Sequence, residues 1–445
     1  MKRLFRNIHL WLSIPFGIII TLICFSGASL VFETEITEAL HPHRYFVEQV
    51  GEKPLPLASL GEKVQASLPD SVQVTGVTIP ADPKRTYQFN LSKPRRASLY
   101  VNPYTGEQTG PGKRDAYFDV MFRMHRWLLG SNGSAGKRIV GISVIALVLI
   151  VISGIVIAWP HSPKGWKNRF SFHVSKGWFR FLYDLHVSGG MYAAVFLLAM
   201  ALTGLNWSFP WYRTTFYKLF GVEAQARGGR EGDRQPDGGR GLPKGKEASY
   251  RKEHKERGRI APEESTQSDH NAYERRLDAQ SRSDKGDGRA HQNGETNWKR
   301  PGGKRPSGTQ SEAGAPQKSE APTSFFAHWD DVYKQLARKN PDARAISLSE
   351  GKTSVSTPWE SNRRQADTYR FEPETGKITS YEPAAQANPS NKLFGWIYAV
   401  HVGSWGGLAT RILAFLAALT GATLPLTGYY LWIRRITRRR KGVEA

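Results

Sequence analysis

Four histidines, each near one end of a long apolar segment, are the residues of this sequence best suited to hold a cofactor. They are His9, His125, His186 and His401. Neutral imidazole is the usual axial ligand of a haem held between helices. Two such side chains at each face of a membrane predict two haem b groups, each with two histidine ligands to its iron. Together they would form a path for electrons across the bilayer.

Four segments are long and apolar enough to cross a bilayer core, which takes about 20 residues. They are residues 9–32, 139–159, 186–209 and 408–433. The mean hydropathy of −0.46 conceals them, because a long polar stretch offsets their apolar character. The first segment is either a signal peptide or a retained helix. Its long apolar run, with no A-x-A cleavage site after it, favours a retained helix.

Lysines and arginines flank these segments at three places, which set the expected orientation. By the positive-inside rule these places are cytoplasmic, so both termini face the cytoplasm and the loops at about 33–135 and 210–400 face outward. The net charge of +23 then reflects topology and contact with anionic lipid, and requires no nucleic acid. The residues are Lys2, Arg3 and Arg6; Lys164, Lys167, Arg169, Lys176 and Arg180; and Arg434, Arg435, Arg438, Arg439, Arg440 and Lys441.

The sequence contains a single cysteine, Cys24, inside the first apolar segment. One thiol cannot form an intramolecular disulfide, and it cannot supply a Cys-ligated zinc site or cluster within one chain. The predicted cofactor sites therefore depend on histidine.

The two outward loops resemble each other, and so do the helices that flank them. KPRRASLYVNPYTG (93–106) and RRQADTYRFEPETG (363–376) each predict an alternating strand, a tight turn and a short second strand. Helical patterns at 57–70 and 326–342 precede them. His9 to Gly27 and His186 to Gly204 are both 18 residues. These matches, in the same order, predict a tandem repeat whose axis lies along the membrane normal.

The predicted fold class is membrane α+β, with four transmembrane helices as a 2+2 tandem repeat and two small outward α+β modules. Residues 225–322 are rich in Gly, Pro, Ser, Gln and charge, which predicts a disordered insert; a solvated linker is favoured over a partner-binding segment. The predicted divisions are helix 1 at 1–33, module 1 with the His125 segment at 34–134, helix 2 at 135–160, a cytoplasmic loop at 161–184, helix 3 at 185–210, a linker with the insert at 211–323, module 2 at 324–392, the His401 segment with helix 4 at 393–436, and a basic tail at 437–445.

A repeat about this axis would bring equivalent histidines face to face at the same depth. It pairs His9 with His186 on the cytoplasmic side and His125 with His401 on the outer side. Each pair could supply two imidazole nitrogens to opposite faces of one porphyrin. A single histidine at a helix end is more often an interfacial residue, and it is the repeat-matched set of four that favours ligation.

The other histidines have no counterpart in the repeat and are interpreted as loop or surface residues. His41 and His43, just beyond the first apolar segment, could instead contact a metal-bearing substrate. The full set is His41, His43, His161, His173, His254, His270, His291 and His328.

Two arginines and several glycines are matched between the halves. Arg138 and Arg411 precede the second and fourth segments on the outer side, and each either pairs with a haem propionate or extends to a lipid phosphate. The glycines either let a flat macrocycle approach the backbone or serve plain helix packing. They are Gly27, Gly154, Gly204, Gly421 and Gly428.

Several motifs together resemble the PepSY-associated transmembrane family, the iron-regulated inner-membrane proteins of bacteria. They are RNIHLWLSIPFG with SGASLVF, MHRWLLG, DLHVSGGMY with LTGLNWSF, and YAVHVGSWGG before a last helix with a basic tail. The resemblance covers nearly the whole chain except 225–322, and it identifies the family better than a substrate. It implies periplasmic PepSY-like modules and, from one branch, di-haem cytochromes that reduce ferric siderophores. It thus carries the ligand roles over to the four histidines.

The resulting hypothesis is a bacterial inner-membrane di-haem b-type cytochrome that reduces a periplasmic ferric siderophore or other ferric chelate. Electrons would come from a cytosolic flavoprotein or from quinol, because no flavin domain follows the basic tail. No Ser-His-Asp or HExxH arrangement suggests hydrolysis. Two alternatives stay open, a non-enzymatic PepSY regulator or binding protein of the envelope, and an iron-chelate transporter. Colourless purified protein would favour the regulator, and metal uptake into proteoliposomes without reductant would favour the transporter.

Overall fold

The computed structural model describes residues 2–94, 96–160, 162–224, 325–356 and 366–441. The insert predicted at 225–322 lies outside the described residues. The helices are α1 (Lys2–Val31), α2 (Glu33–Leu40), α3 (Pro42–Tyr45), α4 (Leu57–Ser67), α5 (Ala116–Trp127), α6 (Ala135–Ala158), α7 (Pro163–Arg169), α8 (Trp178–Asp184), α9 (Gly190–Ser208), α10 (Pro210–Leu219), α11 (Trp329–Lys339), α12 (Pro389–Val402) and α13 (Gly407–Lys441). The strands are β1 (Val74–Pro80), β2 (Tyr87–Leu91), β3 (Ser98–Val101), β4 (Gln108–Pro111), β5 (Ala345–Ser349), β6 (Lys352–Ser356), β7 (Asp367–Phe371) and β8 (Ile378–Glu382).

In the part of the chain that the structure describes, four helical stretches are long and apolar enough to cross a membrane, as predicted. They are Lys2–Val31, Ala135–Ala158, Trp178–Ser208 and Ser404–Arg438. The third begins before the predicted residue 186, because α8 continues through a single π turn, Leu185–Gly189, into α9. Such turns widen a helix by one residue and are frequent at functional sites.

The four long helices pack as a ring in which α1 and α9 each contact both α6 and α13. The centre of this bundle is filled by small and aliphatic side chains, which allow the helix backbones to approach one another. Its buried core residues are Ile20, Cys24, Val151, Ala193, Ala194, Leu197, Ala417 and Ala422.

The strands that lie between the first and second spans and between the third and fourth spans form one antiparallel sheet of eight strands, in the order β4-β3-β2-β1-β5-β6-β7-β8. The junction is β1 with β5, where Val77 lies opposite Leu348 and Thr78 opposite Ser347. One face of the sheet is buried, with α4 against β1 and α11 against β5. The residues of the other face are polar and partly exposed, as expected for a sheet covered on one side.

Two short helices connect the sheet to the membrane bundle. α5 follows β4 and packs against α1 and α6, whereas α12 follows β8 and packs against α9. α12 ends at Gly403 in the left-handed region with φ 74°, and α5 ends at Leu128 with φ 48°. These turns reverse the chain into α6 and α13, so that each short helix lies beside the bundle.

Candidate functional site

The four predicted histidines are held in the same way, each by a carbonyl group of a neighbouring helix. The Nδ1–O distances are 3.0 Å for His9 to Ile150, 2.9 Å for His125 to Ile23, 3.1 Å for His186 to Leu424 and 2.9 Å for His401 to Met200. A carbonyl oxygen only accepts, so Nδ1 carries the proton and donates it. The lone pair of each ring is then on Nε2, which makes no hydrogen bond to any residue that the structure describes.

A glycine lies four residues after each of these carbonyl groups, and the imidazole ring packs on it. A Cβ atom added at Gly27 would lie 2.9 Å from His125 Cε1, and at Gly204 3.1 Å from His401 Cε1. At Gly154 and Gly428 the distance to the ring of His9 or His186 would be 3.2 Å. These glycines therefore admit a histidine ring to the helix surface, whereas Gly421 faces Leu197 and Cys24 instead.

A hydroxyl residue precedes each of the four glycines. Ser153 Oγ lies 3.2 Å from His9 Nδ1, Thr427 Oγ1 3.0 Å from His186 Nδ1, and Thr203 Oγ1 3.2 Å from His401 Nδ1. Ser26 donates to Ile23 O, the carbonyl oxygen that also accepts from His125. Sequence reasoning missed these residues, although the four Ser/Thr-Gly dipeptides stand at matched positions.

The histidines form two pairs. The ring centroids of His9 and His186 are 6.2 Å apart with an interplanar angle of 86°, and those of His125 and His401 are 6.0 Å apart at 54°. An iron bound to Nε2 of both rings at about 2 Å would separate the centroids by about 6 Å. All four rings are half-buried, so part of each ring surface is not packed against protein. Donor type, tautomer and spacing therefore fit a haem iron between each pair.

His125 and His401, called the outer pair because they lie at the sheet end of the bundle, are on α5 and α12, outside the four membrane spans. Burial lowers the pKa of His125, and it lowers the pKa of His401 to about 4, with a smaller contribution from repulsion by the neighbouring ring. The positive charge of Arg126 lowers both pKa values further. These imidazoles are thus neutral near pH 7, which is the form that binds a metal.

The two pairs lie at opposite ends of the bundle. His9 is near the start of α1, whereas the ring of His125 packs beside Ile23 and Gly27 near its other end. At 1.5 Å per residue, this places the pairs about 25 Å apart along α1. The arrangement has one candidate cofactor site near each membrane face.

The two arginines predicted to bind propionates are placed differently from each other. Arg138 is exposed on the first turn of α6. Arg411 forms an ion pair with Glu35 on α2, with Nη2 2.8 Å from Oε2, and lies over the ring of Phe32. The cation whose charge reaches both outer histidines is instead Arg126, which the sequence did not single out.

The remaining described histidines belong to neither pair. His41 faces Asp115 at 3.2 Å, His173 binds Asp184 at 2.9 Å, His43 is exposed, and His328 precedes α11 and packs on Gly376. Among the described residues, no three His, Cys, Asp or Glu side chains cluster to hold a bare metal ion. The other predicted surface histidines, His161, His254, His270 and His291, lie outside the described residues.

Comparison with known proteins identifies a family. No curated protein matches the sequence significantly. The profile of the PepSY-associated TM region, in contrast, matches residues 6–435. The match includes all four spans, both strand regions and all four paired histidines, in agreement with a membrane protein. The chain therefore belongs to the PepSY-associated TM region family.

Proposed function

We propose that this protein is a di-haem b-type cytochrome of the bacterial cytoplasmic membrane that reduces ferric siderophores or other ferric chelates. The observation that supports the proposal is that two histidine pairs lie near opposite ends of the bundle, with ring centroids 6.2 Å apart in one pair and 6.0 Å apart in the other. His9 and His186 would hold one haem, and His125 and His401 the other. A bound haem supplies one-electron chemistry between ferric and ferrous iron.

The protein's own residues would fix the ligands before any cofactor binds. Each carbonyl group holds its imidazole in the Nδ1–H tautomer, which leaves Nε2 as the metal-binding atom. Such a second partner orients a histidine ligand and raises its basicity. The Ser/Thr-Gly dipeptides would set how closely each ring approaches the helix.

The proposed topology follows the positive-inside rule. The basic residues at both termini and between α6 and α8 would be cytoplasmic, so that His9 and His186 lie on the cytoplasmic side. A cytosolic flavoprotein or quinol would supply the electrons to the haem held by His9 and His186. The ferric chelate would bind on the periplasmic side, where reduction to Fe(II) weakens its hold by hard oxygen ligands.

The internal symmetry belongs to the same proposal. Two copies of one unit, each with two spans and a PepSY-like module, would place His9 and His186 on diagonally opposite helices of the ring, and His125 and His401 on the two short helices beside it. Supporting this, the helix-plus-strands order is the same in both outward regions and all four histidines share one kind of contact.

The test is an absorption spectrum of the purified full-length protein with a pyridine haemochrome assay. We expect the α and β bands of reduced low-spin haem b and about two haems per chain. His9→Ala and His401→Ala should each lower the content to about one, because one ligand of one site is lost. His43→Ala, which alters an exposed histidine outside both pairs, is the control.

Two results would contradict the proposal. Colourless protein from cells supplied with haem would favour the regulator or binding protein instead. Full haem content in both His9→Ala and His401→Ala would show that these pairs do not hold the cofactor.

A further inference from the structure

A cavity of about 460 Å³ lies at the outer end of α1, beside α13 and the start of α5. Its walls are mainly aromatic and aliphatic, and its size is within the range of small-molecule sites. They include Phe32, Ile36, Leu40, Tyr117, Phe118 and Phe415.

One end of the cavity is polar. His41 and Asp115 line it, with Nε2 3.2 Å from Oδ2, and Arg44 lies 3.5 Å from the other carboxylate oxygen. The Asp115 side chain is only 17% exposed, so a ligand there meets a largely desolvated acceptor. A carboxylate accepts hydrogen bonds, and a fitting ligand must therefore bring a donor such as a hydroxyl group.

The position of the cavity selects ligands that arrive from the membrane. Ala28 and Ser29, at the outer end of the first span, form part of its wall. Ile36, Leu40 and Tyr117, all on its rim, are 43%, 64% and 53% exposed. Exposed apolar side chains beside a span are typical of contact with lipid, so the cavity is accessible to amphiphilic molecules of the bilayer.

The cavity also adjoins the outer histidine pair. Ala28 follows Gly27, whose backbone is in contact with the ring of His125. Phe118 lines the cavity on α5, two turns before His125 on the same helix. A ring bound among these side chains would lie next to the outer pair rather than the inner one.

We propose that this cavity binds the ring of a lipid-soluble aromatic alcohol of the quinol class, with a hydroxyl group donating to the Asp115 carboxylate beside His41. The aromatic walls fit a flat ring, and the polar end, where Arg44 already offsets the charge of Asp115, fits a neutral hydroxyl head group. The binding itself requires only the residues named here.

The experiment is a titration of the full-length protein in detergent with 2-heptyl-4-hydroxyquinoline N-oxide, a fluorescent analogue of quinol. We expect saturable quenching at one probe per chain. Asp115→Asn should weaken binding roughly tenfold or more, as for loss of a hydrogen bond to a charged group. His41→Ala should also weaken binding, because it removes the side chain that holds this carboxylate at the polar end. Asp70→Asn is the matched control, because it changes an exposed carboxylate that does not line the cavity, and it should bind like wild type.

Ile36→Trp, which fills the cavity from its rim, should also abolish binding. The proposal is overturned if wild type shows no saturable binding, or if His41→Ala and Asp115→Asn both bind like wild type. Loss of binding in Ile36→Trp alone would likewise overturn it, and would indicate a site for an acyl chain. Haem-loaded protein that binds no probe would contradict only this inference, whereas colourless protein that binds the probe would contradict only the cytochrome.

Discussion

The inner and outer histidine pairs have the same contacts but are supported by different parts of the molecule. His9 and His186 both belong to membrane spans, so packing of the long helices alone brings them together. His125 and His401 lie on α5 and α12, short helices between the sheet and the bundle. The outer pair therefore requires that the sheet region and the bundle be correctly docked. The inner site should be the more robust of the two.

The space between each imidazole ring and the glycine on which it packs is also smaller at the outer pair. A Cβ atom would lie 2.9 Å from the His125 ring and 3.1 Å from the His401 ring, against 3.2 Å at both inner seats. Inner His186 lies in a π turn, whereas outer His401 lies in a regular α-helix. The outer site thus has less space around its rings, and it depends on docking of the sheet region as well as on packing of the long helices.

The largest difference between the two sites is expected when a methyl group is added to the glycine beneath a histidine ring. Gly27→Ala should displace His125 and lower the haem content by up to one per chain, because overpacking costs about 1–3 kcal/mol. Gly154→Ala, at the looser inner seat of His9, should lower it less. The pyridine haemochrome assay measures both. Gly421→Ala, which faces Leu197 and Cys24, controls for disturbed helix packing. Equal haem content in Gly27→Ala and Gly154→Ala would contradict the proposed difference between the sites.

A smaller effect is expected from removing the hydroxyl groups beside the rings. Thr427→Val and Thr203→Val keep the side-chain shape but remove a hydrogen-bond partner of His186 and His401, worth about 0.5–1.5 kcal/mol. Each should shift the midpoint potential of its own site only, with the greater shift for Thr427, whose oxygen is closer to the ring (3.0 against 3.2 Å). A redox titration of the α band measures this.

The control is Thr420→Val, on the same helix as Thr427, whose hydroxyl group donates to Leu416 O instead. If either threonine variant shifted the midpoint potentials of both sites, each hydroxyl group would not act on its own site alone.

The smallest effect is expected at the outer ion pair between Arg411 and Glu35. Glu35 is 47% exposed, so Glu35→Gln should cost less than about 1 kcal/mol. The melting temperature should fall by no more than about 2 °C, without change at either histidine pair. Thermal unfolding with Glu48→Gln, an exposed residue, as reference tests this. Loss of the outer haem in Glu35→Gln would show that this contact docks the outer region.

Local sequence patterns predicted some strands of the sheet, but not the pairing of β1 with β5 that joins its two halves. The strands predicted within 93–106 and 363–376 are β3 and β7, and the short second strands predicted after their turns are β4 and β8. β1, β2, β5 and β6 were not identified, although VTGVTIP and YQFNL contain β-branched and aromatic residues. Alternation of side chains indicates a strand but not its partner. The pairing of Val77 with Leu348 could therefore not be predicted from the local sequence of either strand.

The sequence by itself determined the four spans and the matched positions of the four histidines, because hydropathy and spacing are local properties of the chain. Only the tertiary structure decided what holds each ring. The carbonyl group that accepts from His125 is 102 residues away, and the one that accepts from His186 is 238 residues away. A Ser/Thr-Gly dipeptide acquires this role only when a neighbouring helix brings an imidazole against it, since the missing Cβ leaves space but does not specify what fills it.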